Sequence, residues 1–455
     1  MGRKASRFPR EPQESSIRAL THDGRGIAET DGKTVFVAGA LPGERVLWQR
    51  ARRKRNYDEA TALEILEPSE DRVDPECDVF GQCGGCVMQH LSNDAQLQAK
   101  HQVLVDNLER TGQVTPSRWL VPLSTGNWHY RRRARLGVKY VDGKGRVLVG
   151  FRERYKPYIT DMKRCPVLVA SVDALITPLA EMIATLSIAR RLPQIELAVG
   201  DSEHDGAPVV YLIFRVLDTP SDEDTETLRT FARAHNIWCL LQPGGPDSIH
   251  PLEDPARGTP PPLLYRLAAH DVTLWFEPSD FIQVNAAMNE HMVNLALEYL
   301  ALKPQHRVLD LFSGIGNFTL PIARHVDHVH GVEGLVGLTE RARSNASKNQ
   351  IDNASFATGD LEDEATWQAL LSQRWDRILL DPARAGAALF ASKAAQLGAP
   401  RIVYISCHPG TLARDAGLLV TTQGYTLTAA GVMNMFPHTA HVESIAVFDQ
   451  TQVAA

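Results

Sequence analysis

From residue 271 to the end of the chain, short apolar runs alternate with longer stretches of helical period. The runs are "RVLDLF", "HVHGVE", "ASFATGD", "RILLDP" and "RIVYISC", followed by "TLTAAGV" and "ESIAVFD". Apolar strands alternating with helices predict an α/β fold with a doubly wound, mostly parallel sheet. Residues 14–68 have another rhythm. "TVFVAGA", "RVLWQR" and "EATALEIL" are separated by the turn signals His22–Gly26, Asp31–Lys33 and Leu41–Glu44. Short strands at this spacing predict a small closed β-barrel. Residues 92–112 read as one helix, with Ser92 capping its start, Gly112 its end, and Leu97, Val103, Leu104 and Leu108 on one stripe. Residues 128–165 read as strands with a hairpin turn at Asp142-Gly143, and residues 166–270 mix both patterns around loops such as "QPGGPDS". Residues 1–13, polar and basic, read as a disordered tail.

At 455 residues the chain is too long for one ordinary core, so two or three domains are expected. It is 44% hydrophobic and 22% charged, as globular chains are. No apolar run is long enough to cross a bilayer, and "MGRKASRFPREPQESS" lacks the apolar centre of a signal peptide, so we expect a cytoplasmic protein with no membrane partner. The net charge of −6 hides two basic segments. Residues 1–56 carry 13 Lys and Arg against 6 Asp and Glu, and residues 129–165 carry 12 against 3. Concentrated basic segments on an acidic chain point to a polyanion held at defined places. Arg52, Arg53, Lys54 and Arg55 lie near Tyr57, and Arg131, Arg132, Arg133 and Arg135 lie near Tyr130 and Tyr140, which offers charge to phosphates and rings to bases.

Six cysteines in such a chain argue against a disulfide framework. Cys77, Cys83 and Cys86 lie in a glycine-rich loop, and Cys165 precedes a proline further on. Four thiolates with one tight pair can hold zinc or a [4Fe–4S] cluster, and spacing alone leaves both open. Cys239, in "NIWCLLQ", reads as a core residue. Cys407 differs, because it ends the strand Arg401–Ser406 and is followed by His-Pro-Gly and a helix. That is where an open α/β sheet has its ligand crevice, and the helix N-terminus there is expected to lower the thiol pKa. Upstream, Gly314-Ile315-Gly316 opens a helix after a strand. Glu333, Asp360 and Asp381 fall at the ends of the next three strands, where acids suit ribose, adenine and a cationic centre.

The strings "DLFSGIGNF", "LLDPAR", "SCHPGTL" and "PHTAHVES", in that order, resemble the S-adenosylmethionine-dependent RNA uracil-5 methyltransferases. The resemblance implies S-adenosylmethionine contacts at Gln283, Phe312, Asn317, Glu333, Asp360 and Asp381. It implies that Cys407 adds to carbon 6 of uracil, giving carbon 5 the carbanion character it lacks, and that Glu443 removes the proton from carbon 5. His438 and His441 read as positioning residues for the Glu443 loop. Two positions depart from the pattern: Ser313, where relatives often carry Cys, and Ala383, where many carry Pro. The 23S rRNA branch of the family carries the cysteine pattern, which chooses a [4Fe–4S] cluster on Cys77, Cys83, Cys86 and Cys165 and implies 23S rRNA as partner. The implied layout is an α/β, C-terminal Rossmann-like methyltransferase domain (residues 93–124 and 271–455). It follows a TRAM barrel, oligonucleotide-binding-like, over 14–70 and a central α+β domain with the iron–sulfur site over 71–92 and 125–270. We expect the chain to act as a monomer on a flipped-out or looped base.

Two rivals remain from the sequence. One is a methyltransferase acting on another rRNA or tRNA uridine. The other is a non-catalytic iron–sulfur protein that binds RNA, against which the intact Cys407, Glu443 and cofactor motifs weigh. An adenine N6-methyltransferase is disfavoured, because "DPAR" lacks the aromatic that clamps an amino-bearing base.

Overall fold

The computed structural model describes residues 11–451, so most of the expected tail at residues 1–13 lies outside the described residues, and Gln13 already begins a strand. The chain divides into two compact units. The first holds the chain up to Lys100 with Arg152–Pro157 and Pro437–Ala440, and the second holds the rest.

In the first unit, β1 (Gln13–Ser16), β2 (Ala19–Leu20), β3 (Arg25–Thr30), β4 (Lys33–Ala38), β5 (Arg45–Arg53) and β6 (Tyr57–Glu67) pair in the order β1-β5-β6-β4-β3-β2. Alternate residues Ala28, Val35, Val37, Val46 and Trp48 point into one small core, as the two-residue period requires. Ser15 of β1 and Thr30 of β3 are not neighbours in that order, yet their hydroxyls hydrogen-bond at 3.2 Å. Trp48 Nε1 also donates to Ser15 Oγ at 3.0 Å. The sheet therefore curls until its flanks meet over the Trp48 ring. Residues 71–92 also fall in this unit.

The second unit contains two sheets. One runs β13 (His250–Pro251), β12 (Trp238–Gln242), β11 (Pro208–Arg215), β10 (Gln194–Asp201), β14 (Leu263–Leu267) and β15 (Val272–Phe276). Onto β10 is added β8 (Arg133–Val141), and onto β8 β9 (Arg146–Gly150). The other sheet comprises β16 (Arg307–Leu311), β17 (His328–Glu333), β18 (Ala354–Thr358), β19 (Arg377–Leu380), β20 (Arg401–Ser406), β21 (Tyr425–Met433) and β22 (Glu443–Gln450), with β7 (Arg118–Trp119) at one edge. Its order is β18-β17-β16-β19-β20-β22-β21-β7. The strands from β18 to β20 are parallel, and β22 is antiparallel to both neighbours.

Both faces of this sheet are buried, which is why its strands read as apolar runs. Val308, Leu379, Val403, Ile405, Ile445 and Val447 face one core, and Leu309, Ile378, Leu380, Ile402, Tyr404 and Phe448 face the other. The helix Ala286–Leu300 covers the first face through Met288, Met292, Val293, Ala296 and Leu300, a stripe of helical spacing. The helix Pro409–Thr422 covers the second face through Leu412, Ala413, Ala416 and Leu419, joined by Leu104 and Leu108. No helix among the described residues is long and apolar enough to cross a membrane.

Candidate active site

Strand order reverses at β16, with β17 on one side and β19 on the other. In such a sheet the crevice opens beyond the carboxyl ends of the strands at that point. Phe312 and the Gly314–Gly316 turn follow β16, Glu333 ends β17, Asp381 follows β19 and Cys407 follows β20. The fold thus sets at one edge residues that lie up to 95 positions apart in the sequence, from Phe312 to Cys407.

Cys407 and Glu443 are placed by register. Ser406 pairs with Ser444, so the next antiparallel step sets Cys407 opposite Glu443. Directly opposed residues project from the same face, here the face of Ile405 and Ile445. Ser444 Oγ donates to Ser406 O at 3.1 Å and pins this step. Glu443 is buried and Cys407 half-buried. Burial, then the nearby Asp381 charge, pushes the Glu443 carboxyl well above its usual range. Burial raises Asp381 to about 7. The Cys407 thiol is pushed up to about 11, by burial first and then by the Glu443 and Asp381 charges. This corrects the expectation of a lowered thiol pKa. The helix Pro409–Thr422 does begin two residues on, with His408 Nδ1 accepting from Thr411 N at 3.2 Å. Two carboxylates and a dry wall outweigh its N-terminus in the ligand-free protein. Arg384 and a backbone N–H act the other way on the thiol, and Arg384 lies at 3.0 Å from His441 Nδ1. His438 sits in the first unit, where its N–H donates to Gln96 Oε1 at 2.9 Å.

The expected cofactor residues other than Gln283 lie at the ends of β16, β17, β18 and β19. Glu333 Oε2 accepts from Gly314 N at 3.1 Å and Oε1 from Leu335 N at 3.0 Å, so this acid ties the glycine turn to the next helix. Phe312 takes φ = +66°, a strained value for an aromatic residue, while its N–H and that of Ser313 both donate to Val332 O. Asp360 is exposed and holds Glu362 N through Oδ1 at 2.9 Å. Gln283 is half-buried just before the helix Ala286–Leu300. Asn317 bonds to Tyr265 and Asn289, two residues that no motif marks. Asp310 lies inside the string "DLFSG", one residue before the end of β16. It is buried, and its pKa is raised to about 7, by burial first and then by Asp381 and Glu333. Asp310 Oδ1 and Ser313 Oγ are both buried and take no hydrogen bond among the described residues. Orphaned buried polar atoms beside a glycine turn fit a polar ligand seated there.

Cys77, Cys83 and Cys86 lie in one loop of the first unit, and Cys165 lies in the second. The loop is tightly wound: Phe80 N donates to Cys77 O, and Cys83 N to Val79 O. Gly85 N donates to Cys83 Sγ at 3.4 Å, the kind of amide contact that a thiolate ligand accepts. No group of three or more His, Cys, Asp or Glu side chains is poised as a metal site among the described residues. Cys239 is fully buried and its thiol pKa is pushed up to about 12, which suits a core residue. The central arginines are partly committed. Arg132 pairs with Asp201 at 2.9 Å and Arg135 with Glu196 at 2.8 Å, and Arg133 donates to Asp280 O.

Residues 264–451 match the family described as "tRNA (Uracil-5-)-methyltransferase". A protein of Alkalilimnicola ehrlichii, named 23S rRNA (uracil(1939)-C(5))-methyltransferase RlmD, is 49% identical over 450 residues, covering 99% of each chain. One of the same name from Xanthomonas campestris pv. campestris is 47% identical over 453 residues, covering 99% of this chain and all of the other. Among solved structures, the Pyrococcus abyssi tRNA (uracil-54, C5)-methyltransferase in complex with S-adenosyl-L-homocysteine superimposes with a TM-score of 0.70 at 24% identity, over 96% of this chain and all of the other. That last likeness is one of fold.

Proposed function

The chain belongs to the RlmD family of 23S rRNA uracil-5 methyltransferases, and from that premise we propose that it methylates carbon 5 of one uridine in 23S rRNA, the uracil 1939 of its relatives' names. The observation that carries this reading is that the β20–β22 ladder ends at Ser406 and Ser444, with Cys407 and Glu443 one step beyond and close enough for the carboxyl to act on the thiol. A nucleophile and a base on one face of the sheet are what addition to carbon 6 and proton removal from carbon 5 need.

S-adenosylmethionine supplies the methyl group and a sulfonium charge, and Gln283, Phe312, Asn317, Glu333, Asp360 and Asp381 hold it. The orphaned Asp310 Oδ1 and Ser313 Oγ support a polar ligand at this place. The protein's own steps are these. Cys407, half-buried, gives its proton to solvent, and its sulfur bonds to carbon 6 as the ring's double-bond electrons move onto the carbonyl oxygen. Once carbon 5 is methylated, Glu443 takes the proton from carbon 5. The returning electron pair expels Cys407 and restores the double bond. A thiol with its pKa near 11 does not ionise unaided at neutral pH. A positive charge beside Asp381 and Glu443 offsets the two groups that hold the proton on sulfur. Cys407 is therefore armed only in the loaded site.

The curled sheet within residues 14–70 serves in this reading as a TRAM-type RNA-binding barrel, with Arg52, Arg53 and Arg55 on phosphates. Cys77, Cys83, Cys86 and Cys165 would hold the [4Fe–4S] cluster that the family's cysteine pattern implies, and it would serve to fix the chain for RNA. The Gly85–Cys83 contact supports that donor set. The protein works in the cytoplasm as a monomer.

RNA containing 5-fluorouridine tests the catalytic reading. Mixed with the protein and S-adenosylmethionine, an rRNA fragment bearing the target should form an adduct stable on a denaturing gel, because fluorine cannot leave as a proton does. Cys407→Ala should form none and lose all methyl transfer. An adduct with tRNA alone would overturn the substrate, and an adduct that survives Cys407→Ala would overturn the nucleophile.

A further inference from the structure

Asn317 closes the glycine turn after β16. Its Oδ1 accepts from Tyr265 Oη at 2.9 Å and from Asn289 Nδ2 at 2.9 Å. Its Nδ2 donates to Asn289 Oδ1 at 2.9 Å. The two carboxamides thus form a closed, two-bond pair, with a tyrosine capping one oxygen. Asn289 is 2% exposed and Tyr265 7%. Neither lies in the catalytic sheet: Tyr265 comes from β14 and Asn289 from the helix Ala286–Leu300. In a buried setting the tyrosine must donate its proton, and Asn317 Oδ1 is its partner. The carboxamide is therefore fixed with its oxygen inward. Both lone pairs of that oxygen are used, and one of the two N–H bonds is used. What Asn317 has left, on its half-buried side, is a single donor.

We infer that Tyr265 and Asn289 are positioning residues that lock Asn317 as a donor toward the cofactor, and that the group it receives is the terminal carboxylate of S-adenosylmethionine. This rests on the reading that Asn317 contacts that cofactor. The assignment follows from complementarity. A fixed N–H is matched by a group that only accepts, and the carboxylate is the anionic acceptor of the molecule. Glu333 and Asp360 are acceptors and suit the hydroxyl and amino donors at its other end. A freely turning asparagine could serve either kind of partner, whereas this one cannot.

The test is binding of two ligands, S-adenosylmethionine and its decarboxylated analogue, to the full-length protein by calorimetry. Tyr265→Phe keeps the ring and removes only the clamp. It should weaken S-adenosylmethionine about 3- to 10-fold, the worth of one hydrogen bond, and leave the decarboxylated analogue within about 2-fold. Asn317→Ala should show the same selectivity, and the double variant should be no worse than Asn317→Ala alone. In turnover, Tyr265→Phe should raise KM for the cofactor while kcat at saturation holds. Asn289→Ala gives a second route to the same pattern should Tyr265→Phe fold poorly, as its melting midpoint would show. Equal losses for both ligands, or no loss for either, would overturn the inference. Wild-type protein that binds neither ligand would overturn the proposed function itself.

Discussion

A cysteine that ends a strand before a helix suggests a ready thiolate, and the sequence supports that idea as far as local structure goes. The environment of Cys407 reverses it, by burial first and then because Glu443 arrives from 36 residues further on and Asp381 from another strand end. The sign of the Asp381 effect can be tested. Its own pKa is about 7, so it is neutral at pH 6 and charged at pH 9. A charged neighbour raises the thiol pKa and slows alkylation, and an asparagine in its place does not. The ratio of iodoacetamide rates at Cys407, Asp381→Asn over wild type, should rise from about one at pH 6 to as much as about tenfold at pH 9, which is one unit of thiol pKa. A ratio that stays flat across this range would mean that the Asp381 charge does not help hold the proton on sulfur. The Asn317 clamp belongs to the same scale. The asparagine was legible in its motif, but Tyr265 lies 52 residues earlier in a sheet with no chemical signature.

Among the elements, the strands of the catalytic sheet were the most legible, because both faces are buried and each strand is an apolar run. The link between the loop after β19 and the helix Pro409–Thr422 was not legible. Thr411 Oγ1 donates to Arg384 O at 3.2 Å, Arg414 to Ala385 O at 2.9 Å, and Ala387 N to Asp415 Oδ2 at 2.8 Å. Asp415 is fully buried and also accepts from Tyr404 Oη at 2.8 Å. This helix therefore holds both Cys407, at its own start, and the loop that begins with Asp381. Gly386 makes the clamp possible: it has φ = +75°, and a Cβ there would sit 2.6 Å from Asp415 Oδ2. Gly386→Ala should destabilise the fold by about 1–3 kcal/mol in urea unfolding and lower methyl transfer at least severalfold. A variant with unchanged unfolding and unchanged rate would show that the clamp is slack. Gly112 shows the limit of reading caps from sequence. The left-handed cap falls on Gln113, at φ = +54°, and Gly112 is needed because a Cβ there would lie 2.6 Å from Ala413 O.

For the whole molecule, the charge pattern announced a polyanion partner, and the structure narrows the surface available for it. Arg132, Arg133 and Arg135, from the second basic segment, hold strands and a loop together through Asp201, Asp280 and Glu196. The cysteines are a second whole-molecule matter, since three lie in one unit and the fourth in the other. Protein purified without oxygen should contain about four iron and four sulfide per chain, the content of one cubane cluster. Cys83→Ser or Cys165→Ser should lower the iron content and the melting midpoint, while S-adenosylmethionine binding persists. Zinc with no sulfide would remove the cluster, and iron unaffected by either change would remove the ligand set. What the sequence determined alone were the local, periodic and chemical features: the alternating strands and helices, the small β module, the motif residues Cys407, Glu443, Asp381 and Asn317, and the cysteine spacing. These depend on a residue and its near neighbours, so a linear string carries them. Only the tertiary structure decided which residues face one another. The β20–β22 register sets Glu443 against Cys407, two carboxyls crowd one thiol, and a tyrosine from another sheet orients Asn317. Each is a contact between distant parts of the chain, in a desolvated place where charge and hydrogen bonds act most strongly.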